Sequence, residues 1–144
     1  MKKAPQKILV SLKEAADAEE LISLATQVAA PRKASIVVLN VLELPEVTPL
    51  DAKDEVLEAP VRAVEKAFKR QTRKHPRRKF ALRLLRAHHA GKAIVEELQE
   101  GKFDLAIIGY HHKRSLADLL LGTTAQYLAR HAPCRLLMSV PPRP

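Results

Sequence analysis

The chain contains few aromatic residues, a single cysteine and no long apolar run. Tryptophan is absent, and aromatic residues make up 3% of the 144 positions, so an aromatic platform for stacked bases is not expected. Cys134 is the only cysteine, which excludes an internal disulfide. No apolar segment approaches the ~18 residues of a membrane-spanning helix. The basic first residues precede an apolar run too short for a signal peptide, so neither a signal peptide nor a transmembrane segment is expected.

Acidic residues are also few relative to basic ones. The 25 lysines and arginines exceed the 16 aspartates and glutamates, which gives a formal net charge of +9. Many of these cations lie between Arg62 and Arg86. A solvated helix face and a surface for phosphates or anionic lipid headgroups are both compatible with them. No nucleic-acid-binding module is recognisable, so a nucleic-acid partner is not expected. Four of the cations share one face of a predicted helix: Arg62, Lys66, Lys69 and Arg73.

Strand-like and helix-like segments alternate along the whole chain. The strands read as short apolar runs and the helices as amphipathic segments. This alternation predicts one α/β domain over residues 1–144, with a doubly wound five-stranded parallel sheet, helices on both faces and a loose tail at 141–144. The predicted strands are Lys7–Leu12, Ser35–Leu42, Phe80–Ala87, Asp104–Ile108 and Arg135–Val140. The first predicted helix starts near Asp17, where Glu20 completes a capping box. The other predicted helices are Asp51–Lys74, Gly91–Gln99 and Thr123–Arg130.

One stretch, Leu105–Thr124, carries the most specific signal. A short apolar run ends at Gly109, a basic loop follows, and Gly122 and Thr123 open an amphipathic helix. The first N–H groups of a helix lack intrahelical acceptors and favour an anion, and neighbouring hydroxyls add donors. The stretch therefore predicts a site for phosphate or a similar anion.

This stretch resembles the phosphate-binding loop of the universal stress protein family. The pattern of that loop is a glycine, two residues, a second glycine, nine residues and then a Gly-Ser or Gly-Thr pair. Gly109, Gly122 and Thr123 match that pattern, whereas His112 stands in place of the second glycine. The chain is identified as a member because further fragments also match in order and spacing: Ile8–Leu12 the first strand, Val38–Val41 the second, and Ala132–Arg135 the approach to the last.

The resemblance implies an adenine nucleotide alpha hydrolase-like sheet with strand order 3-2-1-4-5 and a homodimer formed through the last strand. It also implies that ATP, in one subgroup, binds at the carboxyl ends of strands one and four. Lys13 stands where ATP-binding members have an aspartate, and a lysine cannot accept hydrogen bonds from a nucleotide. The implied nucleotide-binding residues are Leu12, Lys13, Val41, Gly109, His112, Gly122, Thr123 and Thr124.

Two functions therefore remain open. One is a ligand-responsive regulatory module that binds ATP or another phosphorylated anion. The alternative is a nucleotide-free interaction domain, a dimeric adaptor whose pocket is degenerate. Val41–Leu50 resembles the corresponding stretch of universal stress domains attached to amino-acid or cation transporters. That resemblance implies a cytoplasmic regulatory domain with a transporter as a partner.

The sequence gives no support for an enzyme or a metal site. The pairs His88-His89 and His111-His112 follow strands that the implied order separates by three strand spacings, about 14 Å. No cysteine or carboxylate is grouped with them, so we expect no metal. Cys134 has no histidine clearly placed as its base, and no serine or threonine has one either. We therefore expect no catalytic residues.

Overall fold

Five strands alternate with four α-helices in the part of the chain that the computed structural model describes, residues 4–31, 33–110 and 122–142. A 3-10 turn, Ala15–Asp17, precedes the first helix. The strands are β1 (Lys7–Ser11), β2 (Ser35–Glu43), β3 (Lys79–Ala87), β4 (Leu105–Gly109) and β5 (Arg135–Ser139). The helices are α1 (Ala18–Val28), α2 (Glu55–Thr72), α3 (Ala90–Gly101) and α4 (Thr123–His131).

All five strands pair in parallel, in the order β3-β2-β1-β4-β5. The predicted sheet order is confirmed. β1 is the central strand, and its Val10 lies between Val38 of β2 and Ile107 of β4. All three side chains are fully buried, as expected for the inner strands of a parallel sheet that is covered on both faces.

Two apolar layers cover the two faces of this sheet. Because successive strand residues point to opposite faces, Ile8 and Val10 pack on one side and Leu9 packs on the other. α1 and α2 cover the first face, α3 and α4 the second. The first layer includes Ile8, Val10, Leu21, Ile22, Val38 and Val64, and the second includes Leu9, Leu39, Ile94, Leu98 and Leu128.

The predicted capping box from Asp17 to Glu20 is wrong. Asp17 has helical backbone angles (φ −79°, ψ −15°) and makes no side-chain capping bond at the start of α1. Its carboxylate instead accepts a hydrogen bond from the backbone N–H of Glu14, at 3.1 Å, one turn earlier. The extended residue that an N-cap requires is therefore Glu14, because the 3-10 turn begins the helical segment three residues sooner than the periodicity indicates.

The second helix is shorter than predicted, since it begins at Glu55 rather than Asp51. Asp54 is the N-cap: its backbone is extended, and its Oδ1 accepts a hydrogen bond from the N–H of Val56 at 2.9 Å. Pro60 lies inside the helix, in its second turn. A proline there cannot donate to the carbonyl one turn back, yet α2 continues past it to Thr72.

The third helix includes Gly101, and Lys102 after it takes the left-handed conformation (φ 53°). Packing requires glycine at position 101, because a Cβ there would lie 2.3 Å from Cε2 of the Phe103 ring. Among the residues described, no helix is both long enough and apolar enough to cross a membrane.

Candidate functional site

A cavity of about 390 Å³ opens at the carboxyl edge of the sheet, between the ends of β1, β2 and β4 and the starts of α3 and α4. This is the point where the crossover helices change from one face of the sheet to the other, which is where open α/β sheets bind ligands. Seven of the eight predicted residues line the cavity, and the eighth, His112, lies outside the described residues. Those seven are Leu12, Lys13, Val41, Gly109, Gly122, Thr123 and Thr124.

The end of β1 is held by two hydrogen bonds to β2. The N–H of Leu12 donates to the carbonyl of Leu39 at 2.8 Å, and the side-chain amide of Asn40 donates to the carbonyl of Leu12 at 2.9 Å. Asn40 is buried, so this bond is shielded from water. The next residue, Lys13, is exposed at the mouth of the cavity and forms no ion pair with any residue described. The sheet therefore fixes the backbone that carries this ammonium group.

The start of α4 forms a second wall. Gly122 is the N-cap of this helix, and its carbonyl accepts a hydrogen bond from Gln126 N at 3.0 Å. Its φ is −65°, and a Cβ at this position would meet no described residue within 4 Å. Neither backbone strain nor contact with a described residue requires glycine here. Thr123 and Thr124, the first residues of α4, line the cavity, and the N–H groups of a helix start together with hydroxyls can hold an anion.

Beneath this polar rim the cavity has an apolar floor. Leu12, Ile94 and Ile108 are buried, and Val41 is half-buried at the end of β2. Apolar walls with a few placed polar groups are typical of small-molecule sites, and the volume lies within the ~300–1,000 Å³ usual for them.

Sequence reasoning missed Glu43, the last residue of β2. Its Oε2 accepts a hydrogen bond from the N–H of Ala90, the first residue of α3, at 2.7 Å. Glu43 and Lys13 are the two charged side chains among the described residues that line the cavity. The available signal was that a carboxylate follows a buried strand at the edge that carries Lys13. The other lining residues that were missed are Ser11, Leu42, Ala90, Ile94, Ile108, Tyr110 and Ala125.

The two histidines that follow β3 contact the segment that follows β2. Nδ1 of His88 lies 3.2 Å from the carbonyl oxygen of Leu44, and Nε2 of His89 lies 3.0 Å from a carboxylate oxygen of Glu46. Across the described ranges, no group of three or more residues with metal-binding side chains occurs. His111 belongs to the stretch that is not described. That the protein needs no metal stays a prediction.

Cys134 is half-buried at the entrance to β5. Burial raises the pKa of its thiol, and the carboxylate of Asp104 raises this pKa further. A thiol with a raised pKa holds less of the reactive thiolate at neutral pH, so this environment disfavours a nucleophilic role.

Part of the basic segment is engaged in structure. Arg62 pairs with Glu55, and this contact raises the pKa of the guanidinium. Arg78 donates to the carbonyls of Thr26 and Ala30, which ties the turn before β3 to the end of α1. By contrast, Lys66, Lys69 and Arg73 are exposed and form no ion pair with residues that the structure describes.

Together these features define a doubly wound parallel α/β domain with an anion-compatible ligand cavity at its topological switch point. A sequence model of the universal stress protein family matches residues 5–140. The chain therefore belongs to the universal stress protein family. A comparison with curated protein sequences gives no match.

Solved structures of universal stress proteins share this fold. One in complex with cAMP is 20% identical, with a TM-score of 0.69, and the match covers 96% of this chain and 98% of that one. UspA from Lactobacillus plantarum is 20% identical, with a TM-score of 0.67 and coverages of 95% and 99%. A complex from Archaeoglobus fulgidus with dAMP is 16% identical, with a TM-score of 0.62 and coverages of 94% and 98%. At these identities the likeness shows the fold.

Proposed function

We propose that this protein is a regulatory module that binds an adenine nucleotide, ATP or a monophosphate, in the cavity at the carboxyl ends of β1 and β4. The observation that carries the proposal is the joining, in one cavity, of the start of α4, the Lys13 ammonium and an apolar floor. An anion and a flat apolar ring system are the two parts of a nucleotide that such a cavity complements. Relatives of the same fold in complex with cAMP and dAMP support this ligand class.

In this proposal the phosphate lies at the start of α4 and the base lies beside Val41. Thr123 and Thr124 provide hydroxyl donors in addition to backbone N–H groups. Gly109, at the end of β4, leaves room where a side chain would narrow the cavity. His112 completes the proposed set of binding residues.

The direct test is isothermal titration of the purified protein with ATP, AMP and inorganic phosphate at moderate salt. We expect micromolar binding of at least one nucleotide. Thr123→Val should weaken it about tenfold, because a hydrogen bond to a charged group contributes roughly 1.5 kcal/mol or more. Thr26→Val is the matched control, since the Thr26 hydroxyl donates to the carbonyl of Ser23, outside the cavity. Absence of binding by every nucleotide would reject the proposal.

The second candidate is a nucleotide-free adaptor, for which a membrane transporter is one partner class. The observation that favours it is Lys13, because an ammonium group at the end of β1 offers a nucleotide no acceptor. Absence of nucleotide binding in the titration would favour this candidate.

We also propose a homodimer formed through β5. This strand lies at one end of the sheet order and pairs with β4, so its other edge presents backbone N–H and carbonyl groups. Leu136, Leu137 and Met138 of this strand are half-buried in the protomer, so a second copy would cover apolar surface as well.

A further inference from the structure

Glu43 occupies the start of α3, one of the two helix starts at the cavity. Its Oε2 accepts a hydrogen bond from the N–H of Ala90 at 2.7 Å. The N-cap residue of α3, His89, makes no side-chain capping bond. The carboxylate of β2 therefore caps this helix from a neighbouring element, and a negative charge is favourable there because it faces the positive end of the helix dipole.

This contact makes the two helix starts chemically different. The start of α3 already holds an anion that belongs to the protein. The start of α4 is capped by Gly122, which has no side chain that could take that place. A second anion beside Glu43 would be repelled, whereas one bound at the start of α4 is offered N–H groups and the hydroxyls of Thr123 and Thr124. The anionic part of a ligand therefore belongs at α4.

The Glu43 carboxylate also offers hydrogen-bond acceptors to the rest of the ligand. An ionised carboxylate has two oxygens and can accept about four hydrogen bonds. The N–H of Ala90 uses one of these, and Glu43 lines the cavity without an ion pair to any described residue. The capacity that remains suits a donor group, such as an amino or a hydroxyl group, and disfavours an acceptor.

We propose that Glu43 accepts a hydrogen bond from a donor group of the bound ligand, and that it thereby sets the ligand's orientation and selects donor-bearing ligands. The inference rests on the nucleotide-binding function proposed above. Glu43 is then a specificity-determining residue, because the phosphate of the ligand binds at the start of α4 and a donor group of the ligand binds to Glu43 at the end of β2.

Glu43→Gln tests the inference with little change in shape. The N–H of Ala90 still needs an acceptor, so the carbonyl oxygen of the new side chain takes that bond and its NH₂ group turns away from the helix. The acceptor offered to the ligand is then replaced by a donor. We expect AMP affinity to fall about tenfold or more, as is usual for loss of a hydrogen bond to a charged group. Binding of inorganic phosphate should not weaken, because loss of the Glu43 charge lowers the repulsion of an anion in the same cavity.

Three analogues of AMP, each without one donor, identify the group that Glu43 contacts. They lack the 6-amino, the 2′-hydroxyl or the 3′-hydroxyl group. For at least one analogue, the wild type should bind more weakly than it binds AMP, and the effect of Glu43→Gln should largely vanish. Glu96→Gln is the matched control, because it removes the same charge from an exposed residue of α3 outside the cavity. Thermal unfolding of each variant measures any damage to α3.

The outcomes separate the inference from the function on which it rests. An equal loss for AMP and all three analogues would show that Glu43 acts only through the structure of α3, and would overturn the inference. Unchanged AMP affinity in a folded Glu43→Gln variant would overturn it too, while leaving nucleotide binding intact. Failure of the wild type to bind any nucleotide would reject the proposed function, and the inference with it.

Discussion

Replacing Asn40 by alanine should destabilise the protein and disturb the cavity together. Asn40 is 5% exposed, and its amide donates to the carbonyl of Leu12, a residue with no exposed surface. The alanine variant leaves that carbonyl without its donor in a region from which water is excluded. Leaving a buried acceptor unsatisfied costs about 1–3 kcal/mol. We therefore expect the free energy of unfolding to fall by about 2 kcal/mol, which corresponds to a decrease in Tm of roughly 6 °C for a chain of this size.

Urea unfolding followed by far-ultraviolet circular dichroism measures this change, since the chain has no tryptophan to report by fluorescence. Gln99→Ala is the control, because it removes a similar amide from the exposed surface of α3 and should change stability by less than about 0.5 kcal/mol. Lys13 directly follows Leu12, so Asn40→Ala should also weaken AMP binding. An Asn40→Ala variant whose stability lies within about 0.5 kcal/mol of the wild type would refute the reasoning.

Two further predictions concern β5 and its entrance. Burial and the charge of Asp104 raise the pKa of the Cys134 thiol, so its thiolate fraction at pH 8 should be below that of a free thiol. Alkylation should then be slower than that of glutathione and accelerate in urea, and equal rates in native protein and glutathione would contradict the assignment. Met138→Pro should convert the proposed dimer to a monomer in sedimentation velocity, while Met138→Ala should remain dimeric. Ser139 pairs with β4, and the alternation of a parallel ladder directs the N–H of Met138 to the open edge. A wild type that is monomeric at micromolar concentration would reject the dimer.

The fold could be predicted from the sequence because its signals are long and mutually consistent. Continuous apolar runs such as Ser35–Leu42 alternate with amphipathic segments, and this pattern admits few arrangements besides a parallel sheet with helices on both faces. The ends of helices are less predictable. Asp17 and Glu20 have the spacing of a capping box, yet the 3-10 turn makes Glu14 the first extended residue instead. Such ends depend on how the preceding loop packs, which periodicity does not report.

The candidate site could be predicted in large part for a topological reason. Leu12 follows β1, Val41 lies two residues before the end of β2, and Gly109 ends β4. Parallel strands bring these carboxyl ends to one edge of the sheet. The resemblance to the universal stress protein family implied this set of residues, and the parallel topology gives the physical reason why they meet. Glu43 was missed because β2 extends one residue beyond the predicted Leu42, and because the Ala90 N–H that it binds lies 47 residues away in sequence. Contacts between elements that far apart leave no local pattern.

In the proposed function, ligand selection depends on the charges of the cavity more than on its shape. The sheet and the helix starts belong to a fold that a solved structure with 16% identity shares. An ammonium group at Lys13 and a carboxylate at Glu43 give the cavity two unlike charges. A free phosphate complements only the ammonium and N–H groups, whereas a nucleotide carries both an anion and donor groups and can complement the carboxylate as well. The difference between the affinities for AMP and for inorganic phosphate therefore measures what Glu43 and the apolar floor contribute. If Glu43→Gln abolishes this difference while phosphate binding is retained, the selectivity for AMP over phosphate depends on the Glu43 carboxylate.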